Sequence, residues 1–105
     1  MATVPDTKLL KTSAGTWTDF ISHAGAGFTT VTSIVVKNTI FGAARVAIRF
    51  AQSGGLTNEL AGPEELSDGA SYRFRLPAIR LKNGDKIQVN SLGGVDWTAG
   101  LEVTT

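Results

Sequence analysis

Short runs of alternating apolar and polar residues, cut by glycine turns, fill this chain from end to end, and no segment reads as a long helix. That pattern restricts the fold to all-β. It is clearest between Thr30 and Phe50, where Ile34 and Val36, then Ala44, Val46, Ile48 and Phe50, recur at period two around a turn at Asn38 to Ala43. Apolar residues on one side of a strand must be buried against another layer. About eight short strands spaced roughly ten residues apart therefore predict a two-sheet antiparallel β-sandwich, jelly-roll-like, and the lack of crossover helices excludes a parallel sheet.

The 105 residues suit one domain, large enough for a single core without metal or disulfides. Pro5 and Asp6 follow a small polar start, so residues 1–6 are expected to form a mobile arm and residues 7–105 the sandwich. Ten Lys plus Arg stand against nine Asp plus Glu, a balance too even to recruit nucleic acid or an anionic membrane at long range. Without cysteine, neither a disulfide framework nor a thiolate metal site exists, and a reducing cytoplasm is permitted. Met1 to Pro5 lacks the basic start and apolar core of a secretory signal, so export of the chain by itself is not expected.

Strands are expected at Lys8–Thr12, Trp17–Ile21, Phe28 to about Asn38, Ala43–Gln52, Leu56–Ala61, Ser71–Leu76 and from Ile79 onward. His23 to Gly27 and Ser53 to Gly55 read as loops. Pro63-Glu64-Glu65-Leu66 places proline first and acids next, as one helical turn would, before Asp68-Gly69 stops it. Tyr72, Phe74 and Leu76 share an inward face opposite Arg73 and Arg75, and Pro77 ends that strand. Asn83-Gly84-Asp85 is a strong hairpin signal, because Asn and Gly accept the positive φ of tight turns. After Gly93-Gly94, a last strand puts Val95, Trp97, Ala99, Leu101 and Val103 on one face.

Candidate chemistry is sparse. His23 lies near Ser13, Asp19 and Ser22, but no nucleophile-elbow glycine pattern surrounds a serine, so His23 reads as a surface loop residue and catalysis is not expected. Glu64, Glu65 and Asp68 offer oxygen ligands of the kind calcium takes, yet their spacing fits solvated turn acids better. No metal and no cofactor is expected. Trp17 and Trp97 sit in strand patterns that also bury aliphatics and read as core. An exposed tryptophan beside loop acids would instead mark a carbohydrate platform. Arg45 and Arg49 on one strand and Arg73 and Arg75 on another project opposite buried faces, in rows suited to carboxylates on a partner.

The segment Val31-Thr32-Ser33-Ile34-Val35-Val36-Lys37-Asn38-Thr39, the Ala43–Phe50 strand, the Leu66–Leu76 stretch with Gly69-Ala70-Ser71-Tyr72, and Leu81-Lys82-Asn83-Gly84-Asp85-Lys86-Ile87-Gln88-Val89 together resemble small virion proteins of tailed bacteriophages. The likeness covers most of the chain. It implies a structural capsid decoration or cement protein, located in the virion after synthesis in the host cytoplasm. Its partner would be the major capsid protein or another virion protein, its state homo-oligomeric, with no direct nucleic-acid or membrane binding. On that reading the attachment surface includes Arg45, Arg49, Arg73 and Arg75, with Thr3 and Val4 of the arm ordering on binding. The alternative is a tail or fibre module that recognises a host-surface glycan.

Overall fold

The computed structural model describes residues 2–75 and 78–105. Eight strands, β1 (Thr3–Ala14), β2 (Thr18–Ser22), β3 (Phe28–Asn38), β4 (Ala44–Ala51), β5 (Thr57–Leu66), β6 (Ser71–Phe74), β7 (Ile79–Leu81) and β8 (Lys86–Thr104), form one antiparallel sheet without helix among the described residues. β8 organises it. Its first half pairs with β4 and β2, its second half with β3 and β1. β5 extends the sheet beyond β4, and β6 and β7 follow one another along the far edge of β3.

One side of β8 is dry along nearly its whole length: Ile87, Val89, Ser91, Val95, Trp97, Ala99 and Leu101 are all buried. The sheet curls around that side, so that strands distant in its order share one core. Phe20 of β2 stands 6.2 Å from Trp97, ring to ring, and Trp97 in turn stacks on Phe74 of β6 at 6.1 Å. The remaining core is aliphatic, and each fully buried side chain such as Ile34, Ile48 or Val46 contributes about 1.5–3 kcal/mol by leaving water. The indole N–H of Trp97 donates to Thr12 Oγ1 at 2.8 Å, so its one polar atom is satisfied.

β3 matches its expected bounds, and a bulge explains its one irregularity. Its inward residues change from Thr29 and Val31 to Ile34, Val36 and Asn38 where the register against β8 slips between Val31 and Ser33.

Five expectations are corrected. From Thr3 onward the supposed mobile arm is the start of β1, paired residue for residue with Thr104 back to Leu101. The acidic stretch after Pro63 is strand, not a helical turn, because β4 needs a partner on its outer edge: Glu64, Glu65 and Leu66 lie opposite Val46, Arg45 and Ala44. Gly62, at φ +94, absorbs the register slip there. A Cβ on it would lie 2.6 Å from Val46 O. Asn83-Gly84 does make a tight turn, with Asp85 N–H donating to Lys82 O at 2.9 Å, but no hairpin: β7 pairs with β3, whereas β8 begins beside β2 and β4. Finally, β8 continues through Gly93-Gly94. Gly93, at φ +103, bends it where Ile40 packs, and a Cβ there would meet Ile40 Cδ1 at 2.9 Å. The expected ends of the Ser71–Leu76 strand, Leu76 and Pro77, lie outside the described residues, and its Tyr72 is 39% exposed instead of buried.

Candidate functional site

The most deliberately built surface feature is the loop between β3 and β4. Phe41 at its tip is 95% exposed, whereas Asn38 at its base is fully buried. The Asn38 side chain secures the loop from both ends: Oδ1 accepts the Ile40 N–H at 2.9 Å, and Nδ2 donates to Gly42 O at 2.8 Å. The same amide reaches Leu66 O and Ser67 O, each at 3.1 Å, tying the loop to the end of β5. Asn at this position does what a helix cap does for a helix end, supplying donors and an acceptor to backbone groups that no strand pairs. The outcome is a large aromatic side chain held in water on a braced support. The sequence signal for Phe41 is its place among the turn residues Asn38 to Ala43, off the period-two rows that mark the core aromatics.

The arginines do not converge. Arg45 and Arg49 lie on the outer face of β4 and Arg73 on that of β6, with β8 and β3 between those strands. Arg49 is half-buried. Its Nε donates to Gln88 Oε1 at 2.7 Å and its guanidinium lies 4.4 Å over the Trp17 ring. Gln88 passes the network on, donating to Asp19 Oδ1 at 2.7 Å, while Lys86 Nζ binds Asp19 Oδ2 at 3.1 Å. The Gln88 amide, and secondly Lys86, hold the Asp19 carboxyl below the usual carboxylate range. Arg45, Arg73 and Arg75 are exposed. Thr3 and Val4 lie in β1, Thr3 Oγ1 bonding Thr104 Oγ1 at 3.0 Å and Val4 57% exposed.

Of the tryptophans, Trp97 is core as expected, but Trp17 is corrected to a half-buried position on the outer face, where Arg49 covers one side of its ring. A sugar would find that side already occupied.

His23 is also corrected, from surface loop residue to buried brace. Its Nε2 stands 2.9 Å from Ala26 O, which can only accept, so Nε2–H donates there, and Nδ1 shares a hydrogen bond of 2.9 Å with Thr29 Oγ1. Neither ring nitrogen meets a serine or a carboxylate. Glu64 and Glu65 are consecutive in β5 and Asp68 sits in the following turn, and no group of three metal-ligating residues occurs among the described residues. Comparisons with protein families, curated proteins and solved structures gave no match for this chain.

Proposed function

We propose that this chain is a structural virion protein of a tailed bacteriophage, a capsid decoration or cement protein that binds the major capsid lattice as a homo-oligomer, its curled sheet forming a jelly-roll-like sandwich. The virion assignment comes from the resemblance in the Val31–Thr39, Ala43–Phe50, Leu66–Leu76 and Leu81–Val89 segments. The docking role is carried by Phe41. Interface energy concentrates in a few aromatic or arginine anchors that enter partner pockets, and an anchor held in place beforehand loses little freedom on binding. Asn38 provides that restraint. Arg73 and Arg75, exposed on another part of the outer face, supply charge that steers encounter with an acidic partner surface.

The test is attachment to particles that lack the native protein, followed by cryo-electron microscopy. Decorated heads, with Phe41→Ser retaining the fold but losing most attachment, are expected. Density confined to the tail, or undiminished attachment of the variant, would overturn the reading.

A further inference from the structure

Among the described residues β1 pairs with β8 alone. Among the described residues no strand pairs with its outer edge, and from Thr3 to Leu9 its side chains are exposed on both faces, Val4 at 57% and Leu9 at 71%. Which backbone groups face that open edge follows from one bond: Thr105 N–H donates to Ala2 O at 2.9 Å. Antiparallel pairs alternate between bonded and non-bonded, and the β1–β8 register runs unbroken from Thr3 to Thr12. Val4, Asp6, Lys8, Leu10 and Thr12 therefore turn their N–H and C=O groups toward β8, whereas Thr3, Pro5, Thr7, Leu9 and Lys11 turn theirs outward. Two facts agree with this phase. Pro5 has no N–H to give, and the outward Thr7 N–H is taken by the Asp6 carboxylate at 2.8 Å.

We infer that the open edge of β1 pairs antiparallel with β1 of a second copy of this chain, in a two-fold register centred on Thr7. The charges select that register. It sets Val4 opposite Leu10, Asp6 opposite Lys8, Pro5 opposite Leu9 and Thr3 opposite Lys11 of the other copy, and each pair occurs twice. The side-chain oppositions are favourable or neutral, with threonine meeting threonine at the centre, and the one cost is that Pro5 leaves the facing Leu9 C=O without a backbone donor. Centring on Asp6, Lys8 or Lys11 would place like charges face to face, and centring on Leu9 or Leu10 would leave both lysines opposite neutral residues. Asp6 serves both states: in the single chain it caps Thr7, and in the pair Thr7 bonds its counterpart while Asp6 turns to Lys8. This pairing does not depend on the virion assignment and is tested without particles.

Sedimentation equilibrium over a concentration series should show the mass rising from 11.0 kDa toward twice that value. Asp6→Lys alone and Lys8→Asp alone should each leave only the monomer, and the double exchange should restore the dimer. Because the chain has no cysteine, Thr7→Cys introduces a unique thiol that should cross-link to its counterpart on oxidation, while Leu9→Cys should not. A monomer at all concentrations, a dimer indifferent to the single exchanges, or cross-linking through position 9 in preference to 7 would overturn the inference.

Discussion

The carboxylate of Asp85 accepts the backbone N–H of Ser53 at 2.9 Å, across a gap of 32 positions in the sequence, and so joins the β4–β5 turn to the β7–β8 turn. Its other oxygen accepts the Lys82 N–H at 3.0 Å.

These two amides, Ser53 first and Lys82 second, hold the Asp85 carboxyl below its ordinary range. A folded value depressed below the unfolded one gives stability that is present above the unfolded value and is lost as the pH falls through the folded one. Acid titration of the unfolding free energy should therefore decline through the carboxylate range, and Asp85→Asn should flatten that decline while lowering stability at neutral pH. Parallel acid limbs for the two proteins would refute the assignment.

Phe74 is 4% exposed and packs edge-on to Tyr72 at 4.9 Å as well as on Trp97. Its removal leaves a cavity that the stacked rings cannot close, so Phe74→Ala should cost about 3–5 kcal/mol in urea unfolding. Arg73→Ala, one position away on the exposed face, should cost under about 1 kcal/mol.

Asn38 and Phe41 should separate stability from exposure within a single loop. Asn38→Ala strips hydrogen bonds from buried backbone groups and should lower the thermal midpoint by an amount equivalent to about 1–3 kcal/mol. Phe41→Ala should stay within about 0.5 kcal/mol of the parent, as expected for a side chain that stands in water.

Gly62→Ala should be far more harmful than Gly25→Ala. Both glycines have positive φ, but an added Cβ at Gly62 meets Val46 O whereas at Gly25 it meets nothing within 4 Å. The Gly25 substitution should cost about 1 kcal/mol of backbone strain, and Gly62 clearly more. Equal midpoints in a denaturant titration would show that β5 relaxes away from β4.

Strand identity was legible wherever the period-two signal ran uninterrupted. Phe28–Asn38, Ala44–Ala51 and the alternation from Val95 to Leu101 show this, since burying one face of a strand writes itself directly into the residue order. The misread segments are those where local chemistry and tertiary demand disagree. Pro63-Glu64-Glu65 has the look of a helix start, but the unpaired edge of β4 needs it as strand. Asn83-Gly84 specifies a tight turn and leaves open which strands its arms will join.

The candidate site was less visible. Arg45 and Arg49 of β4 and Arg73 of β6 fall on outward positions, as the alternation requires, yet whether two outward rows meet depends on strand order, which no local pattern encodes. The open edge of β1 depends on strand order in the same way, whereas Asn38 and Phe41 stand in a turn that the alternation marks without showing which of the two is buried.

The sequence by itself determined an all-β chain, most of its inward faces, its turn positions and its lack of thiol chemistry, because each follows from a residue and its near neighbours. Only the tertiary structure decided that β8 passes through Gly93-Gly94 to carry both halves of the sheet, that Thr3–Asp6 is strand, that His23 and Asp85 brace loops, and which edge and which aromatic remain uncovered. Those outcomes rest on pairings between residues far apart in the chain, where the free energy belongs to the pair and neither partner announces it alone.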